Sequence, residues 1–317
     1  MPARLLLILL AFCIPCAGAF PDKPVRFVVG FTPGGPSDIL ARALGQKLAE
    51  RLGEQVLIDN RPGAGGNIAA EAVAKSAPDG HTWLLGNNSI LATNQSLYRH
   101  LNYDPVKDFA PVALVAIQPN ILVLHPEVPA QSVAELISYA KKNPGKLNYA
   151  SSGSGAAAHL AGELFKAMAG VDMVHVPYKG AQPALTDVIA GQDQLMFATS
   201  ASVIPYIKAG RLRALAVTTA ERSAAIPELP TVSEAGVPGF EATTWHGVVV
   251  PAATPMALVF RLNEELNLAL SAKDLRERLA GLGAEVAGGT PKDFADYIAR
   301  EIPKWTKVVK DSGARVE

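Results

Sequence analysis

Val25-Arg26-Phe27-Val28-Val29-Gly30, then Phe31-Thr32-Pro33-Gly34-Gly35-Pro36, then Ser37-Asp38 with Leu40, Leu44, Leu48 and Leu52 recurring every four residues, is the stretch on which the fold turns. A short β-branched and aromatic run closed by glycine reads as a strand. Ser37 and Asp38 bring helix-start chemistry. The leucines, with Ala43, make one helical face. The unit is therefore strand, Gly-rich turn, helix, and it recurs. A strand signal at 55–58 precedes Arg61-Pro62-Gly63-Ala64-Gly65-Gly66 and a helical pattern over 68–75. Another at 81–85 runs into Gly86-Asn87-Asn88-Ser89. A third, 147–150, ends in Ser151-Ser152-Gly153-Ser154-Gly155 before a helical run over 156–169. Further strand signals fall at 173–176, 194–197 and 212–217, with helical patterns at 133–140 and 183–190. Such alternation predicts an α/β fold with parallel or mixed sheets and helices on both faces.

The chain has 317 residues, and one core rarely organises more than about 250–300. Two lobes are expected: 20–117 in lobe one, 118–219 in lobe two, and 220–317 returning to lobe one. The crossovers near 115–122 and 215–218 would form the hinge. Two apolar runs, 112–117 and 121–124, look like a pair split by Gln118-Pro119-Asn120. Phe294, Ile298, Ile302, Trp305 and Val309 share one face of a C-terminal helix that Pro303 is expected to kink or break.

Hydrophobic residues are 49% and charged ones 18%, so the chain has apolar surface enough to fold. Lys plus Arg equals Asp plus Glu at 29 each, which argues against a nucleic-acid partner. Met1 to Arg4 is a short positive start, followed by an apolar run over 5–14 and Ala17-Gly18-Ala19. This is the pattern of a cleaved export signal, residues 1–19. Both cysteines, Cys13 and Cys16, lie inside it, so the expected product is cysteine-free and located outside the cytoplasm.

Chemistry is expected where Gly-, Ser- and Asn-rich turns close strands, because open sheets bind ligands beyond the carboxyl ends of their strands. A helix starting there offers free N–H groups and partial positive charge, which suits a carboxylate or phosphate. No nucleotide motif is complete: Gly155 is followed by alanines rather than Gly-Lys-Ser. The histidines His81, His100, His125, His159, His175 and His246 show no metal-ligand spacing. Trp245 reads as a core tryptophan or a pocket wall. A hydrolase built on Ser154 and His159 is a weak alternative, because the Gly-x-Ser-x-Gly elbow is missing. No catalytic residue, metal or cofactor is expected.

Taken together, these motifs resemble the Bug solute receptors, the binding proteins of tripartite tricarboxylate transporters. The residues that carry the resemblance are 31–38, 60–66, Pro78-Asp79-Gly80-His81-Thr82, 149–155, His175-Val176-Pro177-Tyr178-Lys179-Gly180, 207–210, 212–217 and Pro230-Thr231-Val232. It implies a two-lobed periplasmic binding protein, type II-like, that closes about a hinge on a small di-, tri- or aromatic carboxylate. It further implies delivery to integral-membrane permease subunits, with a carboxylate sensor as the alternative, and a monomer is expected. Mapped onto this chain, it implicates Thr32, Gly34, Gly35, Ser37 and Asp38 from lobe one and Ser151, Ser152, Ser154 and Gly155 from lobe two. Ser89, Tyr178 and Thr199 are further candidates. Where many relatives carry Phe-Asp-Asn, this chain has Phe197-Ala198-Thr199, which favours an acid without an amino group.

Overall fold

The computed structural model describes residues 20–223, 226–281 and 283–316. The expected export segment, with Cys13 and Cys16, lies outside the described residues.

The chain opens with β1 (Val25–Val29), α1 (Pro36–Leu52), β2 (Val56–Asn60), a 3-10 turn, α2 (Asn67–Ala74) and β3 (Thr82–Asn87). A π-helical turn (Ser89–Thr93), α3 (Asn94–Leu97) and the long β4 (Phe109–Leu124) follow. Next come α4 (Val133–Lys142), β5 (Asn148–Ser151), α5 (Ala157–Ala169), β6 (Val174–Pro177), α6 (Ala181–Ile189), β7 (Leu195–Thr199), α7 (Ser200–Lys208) and β8 (Arg213–Val217). The last elements are β9 (Thr243–Pro251), α8 (Met256–Ser271), α9 (Lys273–Gly281), β10 (Glu285–Gly288) and α10 (Pro291–Ser312).

The strands form one mixed sheet ordered β2-β1-β3-β9-β4-β7-β5-β6, with β8 and β10 also pairing β4. The unit read first behaves as its pattern requires. Successive β1 residues point to opposite faces: Val25, Phe27 and Val29 pack with Leu40, Leu44 and Leu48 of α1, and Val28 joins the opposite core with Ala69, Ala70 and Val73 of α2. Helix α1 stops at Gly53, which adopts φ 73° and returns its N–H to Ala49 O.

The sheet changes partners along β4. Its first part pairs antiparallel with β9, down to Pro119 opposite Thr243. Its second part pairs with β7, beginning with Asn120 opposite Thr199. The two apolar runs expected as a split pair are thus one strand. Proline is tolerated in a strand at a bulge or where the ladder ends. Pro111 borders an irregularity in the β4–β9 register, and Pro119 is the final β9 rung.

Residues 230–232 bond back onto β8, through Val217 N–H to Pro230 O and Val232 N–H to Val217 O. Phe240 sits 6.2 Å from the rings of Phe165 and Phe197. The chain crosses again at Ala242–Thr243. Asn120 joins both crossings: its Nδ2 donates to Ala242 O at 3.2 Å and its Oδ1 accepts from Thr244 Oγ1 at 3.1 Å.

Helix α10 continues as one helix through Pro303, so of the expected kink or break the break does not occur. Its buried face (Phe294, Ile298, Trp305 and Val309) carries it across the site where proline removes one bond. Trp245 is a core residue: Glu301 Oε2 accepts from both its Nε1 at 2.9 Å and Trp305 Nε1 at 2.8 Å.

Candidate functional site

Four helix starts converge on the space between the two parts of the sheet. They belong to α1, α5, α6 and α7, with Gly35, Ala156, Gly180 and Thr199 at their caps. No cap side chain accepts from the first-turn N–H groups of any of them. A helix start without a cap leaves donors free and carries partial positive charge. All four caps border one inner chamber of about 680 Å³, its open mouth included. Thr32, Gly35, Ser37, Ser89, Ser152 and Thr199, all picked out from sequence, line it. So do Asn87, Asn120, Thr244 and His246, and among the described residues no acidic, lysine or arginine side chain does.

An outer chamber adjoins it and shares Phe31, Thr32, Ser89, Ser152, Ala156 and Gly180 with it. Ser154 and Tyr178 border this space, with the loop 62–66 and Tyr98 opposite. Lys179 is its one charged lining residue among those described.

The remaining four candidates stand behind the cleft and shape its loops. Gly34 adopts φ 79° and is exposed. Its N–H donates to Asp38 Oδ2 at 2.9 Å. Asp38 is buried and also accepts from Arg42 Nε at 2.9 Å. Burial raises its pKa, but the bonds from Arg42 and Gly34 outweigh this and hold the carboxyl below its usual range. Asp38 therefore fastens the first loop. Ser151 is fully buried, with Oγ 2.6 Å from His175 Nε2. The Gly155 N–H donates to His159 Nδ1 at 3.0 Å. His159 is thereby turned to the backbone of the loop, which is the bond expected of a histidine at a helix start. Gly155 O accepts from Ser89 Oγ at 3.1 Å, a bond that spans the cleft. The Tyr178 hydroxyl faces Asp187 and Asp193, each at 2.7 Å, so only its ring and backbone serve the outer chamber.

The imidazoles of His159 and His175 stack at 4.0 Å under the serine loop. Burial pushes His159 down to about 4. Burial and the neighbouring His159 push His175 down to about 3. Both are neutral at pH 7.

Sequence reasoning gave no role to Asn120, Thr244, His246 or the α6 start. The signal was present in part. Gln118, Asn120, Thr243, Thr244 and His246 are the polar interruptions of two otherwise apolar strands, and all five are buried. Among the described residues no group of three His, Cys, Asp or Glu could hold a metal ion, and no helix is long and apolar enough to cross a membrane.

A mixed α/β sheet that changes partners midway, with a polar cleft at the change, defines a solute-binding protein. Residues 40–314 match the model of the tripartite tricarboxylate transporter family receptor, and the chain belongs to that family. It is 37% identical to protein BugT of Bordetella pertussis over 95% of this chain and 93% of that one. Among solved structures it is similar to Rhodopseudomonas palustris Rpa4515 with adipate, at 43% identity and TM-score 0.89, covering 94% of this chain and 100% of that one. It is also similar to MatC (Rpa3494) from the same organism with bound malate, at 36% identity and TM-score 0.85, covering 92% and 100%.

Proposed function

We propose that this receptor captures a small dicarboxylate, unsubstituted by an amino group, outside the cytoplasm and delivers it to membrane permease subunits. The observation that carries the reading is the convergence of four uncapped helix starts on a chamber that, among the described residues, has no acidic, lysine or arginine lining. Anions suit helix N-termini, and a ligand ammonium would find no carboxylate partner there. Two contiguous chambers suit an extended acid with a charge at each end, the outer one near Lys179. The neighbours with adipate and malate support the ligand class. The family description supports the transport role over sensing, and the export pattern of residues 1–19 supports the location. Thr32, Gly35, Ser37, Ser89, Ser152, Ser154 and Thr199 would contact the ligand. Gly34, Asp38, Ser151, Gly155 and Tyr178 would hold the loops. The protein acts as a binder and carries out no covalent step.

The lobes divide at Pro119–Asn120 and Ala242–Thr243, where β4 changes partners and β9 begins. On this division 226–242 goes with lobe two, whereas the sequence pattern alone assigns 220–317 to lobe one. Closure is a hinge motion about these two strands.

A thermal-shift panel of mono-, di- and tricarboxylates, with aspartate and glutamate beside their non-aminated analogues, tests the reading. A ligand at about a hundredfold excess over Kd stabilises by about 2.7 kcal/mol. Adipate or malate should raise the melting temperature and aspartate should not. Stabilisation by sugars or cationic amino acids alone would refute it.

A further inference from the structure

Ser37 and His246 are far apart in the chain and meet on the floor of the inner chamber. Ser37 is the second residue of α1, and His246 lies within β9. The Ser37 Oγ and His246 Nε2 are 2.8 Å apart. His246 is 1% exposed, and its Nδ1 is buried with no hydrogen-bond partner. Burial pushes its pKa down to about 4, with no charged neighbour offsetting the shift. The ring is therefore neutral at pH 7 and carries one N–H.

Where that proton sits decides what the cleft offers. With the proton on Nδ1, Nε2 must accept the Ser37 hydroxyl proton. Ser37 would then show only lone pairs to the chamber, which repel a carboxylate. With the proton on Nε2, the ring donates to Ser37 Oγ and the hydroxyl proton is free to turn into the chamber. It joins the free N–H groups of the α1 start, and the donor set becomes uniform. We infer that His246 is a positioning residue for the carboxylate: as its Nε2–H tautomer it donates to Ser37 Oγ and leaves the Ser37 hydroxyl proton to the bound anion. The inference rests on the carboxylate reading above. It adds the histidine that sets the sense of the serine bond, and it explains why a buried imidazole interrupts the apolar β9.

The test has two arms. In the first, 15N-histidine NMR of the ligand-free protein reads the tautomer directly, with the His246 signals assigned by their loss in His246→Gln. A pyrrole-type Nε2 and a pyridine-type Nδ1 are expected, and the reverse pattern overturns the inference. This arm needs no ligand, so it stays decisive if the carboxylate panel fails. In the second, adipate is titrated calorimetrically. Ser37→Ala and His246→Phe should each weaken binding about tenfold, as loss of one hydrogen bond to a charged group does. His246→Gln keeps a side-chain donor near Nε2 and should stay within about threefold of wild type. The double variant Ser37→Ala/His246→Phe should be no weaker than either single one, because both remove the same bond. Equal losses in His246→Gln and His246→Phe, or additive losses in the double variant, overturn it. A wild type that binds no acid in the panel overturns the carboxylate reading, whatever the tautomer.

Discussion

At the scale of single residues, the cleft is shaped in part by groups that do not line it. Gly34 is the clearest case. A Cβ there would meet nothing within 4 Å, so space does not require glycine. Its φ of 79° does, since a left-handed backbone costs most side chains about 1–2 kcal/mol. The Gly34 N–H bond to Asp38 holds that conformation and with it the direction of the α1 start. Leucine at this position would let the loop relax away from its binding shape, and ligand binding would then have to restore it. Gly34→Leu should weaken adipate binding about tenfold, while Gly34→Asn, whose side chain tolerates this region, should lose less than about threefold. Isothermal titration separates the two, and equal losses would point to side-chain bulk instead. The turn residues themselves were legible because glycine, serine and proline punctuate strands locally. His246, Asn120 and Thr244 were not, because their role comes from β4 and β9 crossing between the halves, a contact between positions more than a hundred residues apart. Asp38 was legible as a helix-start residue, and its burial behind the loop depends on Arg42 and Gly34 together, which no spacing rule encodes.

At the scale of elements, the β5–loop–α5 unit sets how the two halves meet. Gly155 has φ 80°, and a Cβ there would lie 2.1 Å from Leu97 Cδ2, on the far side of the cleft. Its carbonyl also receives the Ser89 hydroxyl from that side. Gly155→Ala should therefore hold the halves apart. Small-angle scattering should show a larger radius of gyration with adipate than wild type shows, and binding should weaken. An unchanged radius would mean that Leu97 simply moves aside. Beneath this loop, His159 and His175 give stability a pH dependence. Unfolded histidines take up a proton near pH 6.5. In the folded protein they do so only at about 4 and about 3. The unfolded state thus binds more protons between these limits, so stability is present above about pH 6.5 and falls as the pH drops below it. Each ring contributes up to about 1.4 kcal/mol per pH unit, and His246 adds a third such group. Urea unfolding at a series of pH values should show the decline, and His175→Gln should make it shallower. The strand–turn–helix units were readable at this scale because each is closed within about thirty residues. The single strand β4 was not: Gln118-Pro119-Asn120 looks like a break between two runs, and only the point where the β9 register ends accommodates Pro119.

At the scale of the whole molecule, the two halves share structure as well as a cleft. β4 belongs to both parts of the sheet. One core unites Val28, Leu84 and Ile90 of the first half with Tyr149, Phe165 and Phe197 of the second, through Trp245 and the buried face of α10. Asn120 binds both crossing strands. Separate unfolding of either half would expose this shared core and split β4 from half its partners, so it would lose nearly as much as complete unfolding. The described fold should therefore melt in one cooperative step despite its size, with calorimetric and van't Hoff enthalpies equal. Trp83, Trp245 and Trp305 are all buried, and Trp83 reports the β3 end of the sheet while Trp245 and Trp305 report the shared core. Fluorescence of Trp83→Phe and Trp305→Phe should thus give the same midpoint as far-UV circular dichroism. Because adipate would touch helix starts in both halves, it should shift every probe together by the same linkage term, without creating a second step. Two resolved transitions, with adipate moving only one, would show that the halves are thermodynamically independent and that the hinge is a linker instead of a shared strand.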